Sequence, residues 1–367
     1  MNKPEANLNP AHVPQASGCH RRARWSIDAK RLLLCSMLEA MLRRRVLLLL
    51  CVLVACGGDD SPSWHTLSTS QPAALLSVWG TSPRDVWVVG GRSELDGAPT
   101  LLHFDGTSWS HPDSGQHGVD LWWVFGFDGG DVFFTGSGGT IVRYRNAAFE
   151  RMTTPRSGTI FGLWGAAPND LWAVGAGDDG QGIVWRYDGS QWQDVPMAPA
   201  LPNRVFKVHG QRADDVWISC AGGLILHWDG AALTSMPTGV TSALFSIVTT
   251  PDVVISAGGD PGQLGRIVEH TAAGWTAQPL VSPVAWRGVA AGADHVFVVG
   301  ESGVVAQRTE TGWSLMEGLV TKFTFHAAWV DPTGGLWGVG GMFDTLPLTQ
   351  DGFLAYYGVS SPSEVSQ

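Results

Sequence analysis

A segment of about 40 residues recurs along most of this chain. It is clearest in three places, which read SVWGTSPRDVWVVGG from Ser77, GLWGAAPNDLWAVGA from Gly162 and KVHGQRADDVWISCA from Lys207. Each copy continues into an apolar stretch and an Asp-Gly pair, as in LLHFDGTSW from Leu101. Because Asp-Gly between apolar runs is a strong hairpin signal, each copy predicts four short antiparallel strands. Repeats of this length are typical of propeller blades.

Two columns of large side chains run through the repeats. The second-strand column has seven members, which are Trp87, Phe133, Trp172, Trp217, Val254, Phe297 and Trp337. The fourth-strand column has six, which are Trp109, Phe149, Trp192, Leu233, Trp275 and Trp313. Since such residues recur in every blade, we assign them to the core and not to ligand contacts.

The last repeat lacks a fourth strand, and the segment Ser61–Leu67 before the first repeat is a candidate for it. Trp64 would then be the seventh member of the fourth-strand column. Closure of the ring by the chain termini leaves only short, protected strand edges. We therefore predict an all-β, seven-bladed β-propeller of four-stranded antiparallel blades over residues 61–358, followed by a flexible tail at 359–367.

Composition agrees with this fold. The chain has 47 glycines and 18 tryptophans, and 15 % of its residues are charged, against roughly 25 % in an average globular domain. Long amphipathic helices need charged exposed faces, so this composition favours short buried strands joined by tight turns.

The first 60 residues follow a different pattern. Three arginines at 43–45 precede an apolar run at 46–54, and the sequence LVAC follows at 53–56. A basic region, a short apolar region and a small residue at the cleavage point define a secretory signal. The apolar run is too short for a transmembrane helix, which needs about 20 residues.

The LVAC sequence resembles the lipobox of bacterial lipoproteins. This resemblance implies cleavage before Cys56, acylation of its thiol with palmitate or a similar chain, and a lipid anchor in the outer membrane or at the cell surface. We interpret 41–55 as the signal peptide and 56–60 as a lipidated linker. Residues 1–40 are either an upstream extension from a misassigned start codon or an unusually long basic region.

Charge narrows the classes of partner. The segment before Cys56 holds nine of the 23 Lys and Arg residues but three of the 33 Asp and Glu residues, so the remainder carries a net charge of −16. A strongly acidic surface disfavours nucleic acid and anionic membranes, because both are bound through positive charge. We expect a monomer that contacts the membrane only through its lipid. Cys220 then has no partner for a disulfide, and we interpret it as a buried, inert thiol.

The repeats resemble kelch-like and Asp-box (BNR) propellers of exported bacterial proteins. The resemblance lies in Asp105-Gly106-Thr107-Ser108-Trp109 and in the matching segment from Asp188 to Trp192, which look like an Asp-box turn shortened by one residue. Gly274-Trp275 and Gly312-Trp313 are more divergent versions. The motif implies a stabilised hairpin and marks no active site.

Catalytic patterns are scarce in the sequence. It contains no Gly-x-Ser-x-Gly, His-Glu-x-x-His or phosphate-binding loop. His103 and His227 occupy the same third-strand position, which favours a structural role. The first strands, which line a propeller channel, offer mainly an apolar set: Trp79, Phe125, Trp164, His209 and Trp329.

The loops between second and third strands are the predicted contact surface, because rigid scaffolds bind partners through irregular loops. These loops carry acidic residues, namely Glu94, Asp96, Asp178, Asp179, Asp260, Asp344 and Asp351. The alternative is that they are solvated turns kept polar for solubility. We predict no resident cofactor, although Asp178 and Asp179 could hold Ca²⁺, which favours several oxygen ligands.

The sequence therefore predicts a cell-envelope lipoprotein that acts as an interaction scaffold for a protein or glycan through one propeller face. Two alternatives stay open. One is a glycan-active hydrolase or lyase that uses the central channel, and the other is a structural component of the envelope.

Overall fold

The computed structural model describes residues 61–197, 201–260, 264–279, 282–317, 321, 323–342 and 351–365. The predicted extension, signal peptide, Cys56, linker and Asp344 lie outside these residues. Within the described ranges, no helix has the length and apolar character needed to cross a membrane.

Seven four-stranded antiparallel sheets make up the described part of the chain, as predicted. Blade 1 contains β2 (Leu75–Ser82), β3 (Asp85–Arg92), β4 (Pro99–Phe104) and β5 (Trp109–Ser110). Blade 2 contains β6 (Leu121–Gly126), β7 (Val132–Gly136), β8 (Ile141–Arg145) and β9 (Ala148–Arg151). Blade 3 contains β10 (Gly158–Ala167), β11 (Asp170–Gly177), β12 (Gly182–Tyr187) and β13 (Trp192–Asp194).

The remaining blades repeat this order. Blade 4 contains β14 (Val205–Arg212), β15 (Asp215–Cys220), β16 (Leu224–Trp228) and β17 (Leu233–Pro237). Blade 5 contains β18 (Leu244–Thr249), β19 (Val254–Gly258), β20 (Arg266–Thr271) and β21 (Gly274–Ala277). Blade 6 contains β22 (Trp286–Ala291), β23 (Val296–Gly300), β24 (Val305–Thr309) and β25 (Gly312–Leu315). Short 3-10 turns at Ala221–Gly223 and Glu301–Gly303 join second to third strands in blades 4 and 6.

Blade 7 closes the ring with both ends of the described chain. It contains β26 (Thr324–Val330), β27 (Leu336–Gly341), β28 (Gly352–Gly358) and, as its outer strand, β1 (Ser63–Gln71). Trp64 lies opposite Tyr357, in the place that Trp109 takes opposite Phe104 in blade 1. The predicted role of Trp64 as the last member of the fourth-strand column is confirmed.

The C-terminal segment contacts this closure. The indole N–H of Trp109 donates to the carbonyl of Ser363 at 2.9 Å, and the Val365 amide donates to the carbonyl of Leu67 at 3.1 Å. Val365 is 8 % exposed. The segment expected to be a flexible tail thus contacts blade 1 and the outer strand of blade 7 as far as the structure describes it.

The Trp-Gly pairs of the repeat explain how neighbouring blades pack. A Cβ added to Gly126 would lie 2.6 Å from the Trp79 ring of the preceding blade. A Cβ on Gly210 would lie 2.7 Å from Trp164 in the same way. Only glycine allows this close approach, so Trp79, Trp164 and likewise Trp329 each pack over the first-strand glycine of the next blade.

Side chains on the second and third strands interlock inside the blades. His103 Nε2 lies 2.8 Å from Asp85 Oδ1, and its ring stacks on Trp87 with centroids 3.9 Å apart. In blade 4, His227 lies 2.9 Å from Asp215, with its ring 3.9 Å from that of Trp217. The predicted structural role of the two histidines follows from these contacts.

The core assignments agree with the burial of the second-strand column, whereas Phe149, Leu233, Trp275 and Trp313 of the fourth-strand column are half-buried. Trp172 and Trp337 are fully buried, and Trp87 and Trp217 are almost so. Cys220 is free and 0 % exposed, and burial raises the pKa of its thiol above the ordinary range.

Strand direction defines two faces of the ring. First strands begin at one face, where the connections between blades and the loops between second and third strands also lie. We call this the upper face. The lower face carries the hairpins between first and second strands and the Asp-Gly hairpins, in which Asp105 Oδ1 accepts from the amides of Thr107 and Ser108 at 2.9 and 2.8 Å.

Candidate functional site

The acidic residues predicted to form a contact surface lie in separate loops of the upper face. Glu94, Asp96, Asp178 and Asp179 are exposed, whereas Asp260 and Asp351 are half-buried. Asp344 lies outside the described residues.

Several of these carboxylates have local partners. Asp179 accepts from Arg156 at 3.1 and 3.2 Å, and Asp178 accepts from the Ser157 hydroxyl. A backbone hydrogen bond from Ala98 lowers the pKa of Asp96. Among the described residues, no three His, Cys, Asp or Glu side chains are grouped as a metal site. The acidic surface, and Ca²⁺ at Asp178 and Asp179, stay predictions.

A second feature of the upper face is a cavity of about 180 Å³ at the entrance of the central channel. We call it the axial pocket. Its lining consists of Trp122, Phe161, Arg204, Phe206, Lys207, Phe245, Arg287 and His326. Four aromatic and four basic side chains therefore meet at one place in an acidic protein.

A repeated irregularity of the strands builds this pocket. In all seven blades the pairing between first and second strands skips one first-strand residue near the upper face. A β-bulge of this kind leaves one residue unpaired and changes the direction of its side chain. The skipped residues are Leu76, Trp122, Phe161, Phe206, Phe245, Arg287 and His326. All of them except Leu76 line the axial pocket.

Lys207 lies at the base of the pocket and is 5 % exposed. Its ammonium group donates to the carbonyl of Phe161 and lies 3.9 Å from the centroid of the Trp123 ring. Burial lowers the pKa of Lys207 from 10.5 to about 7. Among the described residues, no carboxylate forms an ion pair with it.

The other basic residues of the pocket differ in charge. The Arg287 guanidinium is bound to Glu301 and lies 4.6 Å over the Phe245 ring, so its charge is balanced. His326 donates from Nδ1 to the carbonyl of Leu76 at 2.6 Å. Burial, helped by the charge of Lys207, lowers the pKa of His326 to about 3, so the ring is neutral at pH 7. Arg204 is exposed at the rim and has no ion pair within the described chain.

Below Lys207 the channel continues as a cavity of about 190 Å³. Four of the five residues predicted from the sequence line it, namely Trp79, Phe125, His209 and Trp329, whereas Trp164 is not among its lining residues. Most of the other lining residues are aliphatic. Burial lowers the pKa of His209 to about 4, and Nδ1 accepts from the Thr249 amide at 3.1 Å. Glycoside hydrolysis uses a pair of carboxylates, and the described lining of this cavity contains none.

A wider depression of about 600 Å³ lies beside blade 5. Asp260 and Arg266 are among its lining residues, and none of the described ones is aromatic. It therefore lacks the apolar walls that are typical of ligand sites, and the axial pocket is the better candidate.

None of the residues that line the axial pocket was predicted as a site from the sequence. The first-strand residues predicted to line the channel, such as Trp79 and Phe125, belong to the cavity below it. One signal was present. Lys207 is one of two lysines beyond Cys56. It occupies a first-strand position where blade 2 has Trp123 and the other five blades have a small residue, such as Ser77 or Gly162.

Comparison with known proteins supports the fold. No protein-family model matches the chain, and no curated protein sequence is significantly similar to it. The solved structure of U3-55K is similar at a TM-score of 0.63 and 12 % identity, covering 81 % of this chain and 100 % of that chain. The WD40 β-propeller domain of Doa1 is similar at a TM-score of 0.61 and 14 % identity, covering 83 % of this chain and 99 % of that chain.

A third similar structure is that of YCF48 bound to a D1 peptide, with a TM-score of 0.59 and 14 % identity over 83 % of this chain and 97 % of that one. At these identities the similarities show the fold alone. The chain has a seven-bladed propeller fold whose structural neighbours include WD40 propellers. The kelch-like or Asp-box repeat type stays a prediction.

Proposed function

We propose that this chain is an interaction scaffold that binds a segment of a partner protein through its upper face, with the axial pocket at the centre of contact. One observation carries the proposal. The same β-bulge recurs in every blade and brings four aromatic side chains, Arg287 and His326 to the pocket, beside Lys207 and Arg204. Function on a propeller is argued from the site and not from the fold.

The chemistry of the pocket favours a protein segment over a glycan. Large aromatic side chains with a few charged groups are typical of the points at which protein partners anchor. Two cations, Lys207 and Arg204, have no carboxylate partner in the described chain, which favours an anionic group on the ligand. The peptide bound to YCF48 is a precedent in a protein of similar fold.

The acidic loops lie on the same face, outside the pocket. We propose that they contact basic residues of the same partner, because complementary charge raises the association rate and fixes the orientation of a complex. This keeps the surface predicted from Asp178, Asp179 and the other acidic residues as a secondary contact.

A peptide selection tests the proposed face. Random peptides displayed with free C-termini are selected on the wild-type protein, and the recovered peptides are then titrated against variants. We expect Trp122→Ala and Phe206→Ala to weaken binding at least about tenfold, as anchor residues do. Arg212→Gln is the control, because Arg212 ends the strand that carries Phe206 and lies about 20 Å further along it. Peptides that bind all variants equally would contradict the proposal.

We also propose that the protein is exported and anchored by acylation at Cys56. The LVAC sequence after a short apolar run supports it. In a bacterial host, the wild-type chain should incorporate a palmitate analogue and remain with the membrane fraction. Cys56→Ser should lose both properties, and a labelled or membrane-bound Cys56→Ser chain would disprove the anchor.

A further inference from the structure

We propose that the axial pocket is a carboxylate-binding site, in which Lys207 and Arg204 bind a carboxylate that is attached to an apolar or aromatic group. This rests on the proposed function and names the chemical group by which the partner enters the pocket. The group is either the C-terminal carboxylate of a peptide or the side chain of an acidic residue.

The state of Lys207 is the first argument. A buried ammonium group is costly unless it is paired. Elsewhere in the described chain the buried charge of Glu269 is paired, because its carboxylate accepts hydrogen bonds of 3.0 and 3.1 Å from the guanidinium of Arg308. Lys207 has a carbonyl and an aromatic ring as partners. An ammonium group has three N–H donors, so it retains donor capacity for a ligand anion at the pocket base.

Charge complementarity is the second argument. Four basic groups face the pocket: Arg204 and Lys207 from blade 4, Arg287 from blade 6 and His326 from blade 7. Glu301 balances Arg287, and His326 is neutral. The net charge of the site therefore comes from Lys207 at the base and Arg204 at the rim. Both attract an anion, whereas the rest of the molecule is strongly acidic and repels one.

The aromatic walls of the pocket favour one class of anion. Trp122 and Phe161 meet edge to face at 5.1 Å, and Phe206 and Phe245 meet in the same way at 4.9 Å. Such walls bury an apolar group well, but they offer few hydrogen bonds to the several oxygens of a phosphate. A cavity of about 180 Å³ holds a carboxylate together with a small apolar or aromatic group.

The direct experiment compares three probes of one shape, which are hydrocinnamate, its neutral amide and the cation 3-phenylpropylamine, with phenyl phosphate as a fourth probe. Binding is followed by calorimetry and by the tryptophan fluorescence of the protein. We expect the acid to bind with a Kd on the order of 1 mM, which suits so small a ligand. The amide and amine should bind at least about thirtyfold more weakly. Equal binding of acid and amide, no binding of the acid at about 10 mM, or preferential binding of phenyl phosphate would overturn the proposal.

Peptides distinguish the two sources of the carboxylate. Each peptide recovered in the selection is synthesised with a free C-terminus, with an amidated C-terminus, and with Glu and Asp changed to Gln and Asn. Loss of binding on amidation identifies the C-terminal carboxylate, and loss on the second change identifies a side chain. If neither change weakens binding by more than about threefold, the carboxylate proposal fails. The proposed upper-face function survives that result if Trp122→Ala still weakens binding.

Variants assign the role of the cations. Lys207→Met keeps most of the length of the side chain and removes its charge. It should weaken the binding of hydrocinnamate at least about thirtyfold. Arg204→Gln should weaken it less, because Arg204 is exposed. Arg212→Gln removes an equal charge from the lower face and should leave affinity unchanged. Circular dichroism and denaturation confirm that each variant is folded. Unchanged affinity of a folded Lys207→Met variant would overturn the assignment.

Discussion

Two regions of this propeller combine an aromatic ring with a basic side chain, and they differ in one respect. Inside blades 1 and 4, His103 and His227 stack on tryptophans and also contact an aspartate of their own blade at 2.8 and 2.9 Å. In the axial pocket, Lys207 lies over Trp123 without any carboxylate among the described residues. The histidines therefore find their carboxylate partners within the protein, whereas Lys207 has no anionic partner among the described residues.

This difference separates structural from functional polar groups. A polar group that is hydrogen-bonded within its own blade stabilises the fold, and removing one partner leaves the other unsatisfied. A buried charge without a partner destabilises the fold, so its presence needs another explanation. The comparison therefore predicts opposite effects on stability when the two kinds of group are removed.

The largest effect is expected for Asp331, which is 1 % exposed. Its carboxylate accepts from the Trp337 indole at 3.0 Å, and from the amide and hydroxyl of Thr333 at 2.8 and 2.6 Å. Asp331→Ala leaves these donors without an acceptor, so we expect a loss of about 4 kcal/mol in the free energy of unfolding. Denaturant titration measures it.

Asp294 provides a matched control for this prediction. It lies in the corresponding hairpin of blade 6 but is exposed. Asp294→Ala should change the free energy of unfolding by less than about 0.5 kcal/mol. Similar losses in the two variants would mean that blade hairpins are stabilised by something other than the hydrogen bonds of the buried carboxylate.

A smaller effect of opposite sign is expected for Lys207→Met. Burial lowers the pKa of this lysine from 10.5 to about 7, so the variant removes an unfavourable charge. It also removes a hydrogen bond and a cation–π contact. We expect a net gain of about 2 kcal/mol in the free energy of unfolding at pH 6.

The gain should depend on pH in a defined direction. Between pH 7 and pH 10.5 the unfolded state holds the Lys207 proton and the folded state loses it. The stability of the wild type therefore rises with pH relative to the variant. The gain should be largest below pH 7 and shrink through pH 9, with Arg212→Met showing no such trend. A destabilised variant, or a difference independent of pH, would contradict the view of Lys207 as an unpaired cation.

The contrast between groups within one blade and groups of the axial pocket also explains which features of the structure could be predicted from the sequence. The blade count and the place of Trp64 could be predicted, because a core position must be filled in every repeat and so leaves a periodic pattern. The axial pocket leaves no periodic pattern in the sequence. Its bulge positions hold residues as different as Trp122, Arg287 and His326, since each contributes to one shared cavity and not to its own blade. The acidic loops were conspicuous in composition, yet Asp179 is bound to a neighbouring arginine.

The smallest effect is expected for His103→Leu. The His103 hydrogen bond is the main cause that lowers the pKa of Asp85, so the variant should raise that pKa, which an NMR titration of the carboxylate measures. A lowered pKa stabilises the fold above the ordinary pKa of 3.8, and this is lost as the pH falls through the folded-state value. We expect a loss of about 1 kcal/mol at pH 7, because the pair is partly exposed. His227→Leu should have a similar cost, since each aspartate keeps one further donor: the Thr81 hydroxyl at 2.6 Å for Asp85 and the Trp217 indole at 2.8 Å for Asp215. An unchanged Asp85 pKa in His103→Leu would show that the histidine is held by stacking alone.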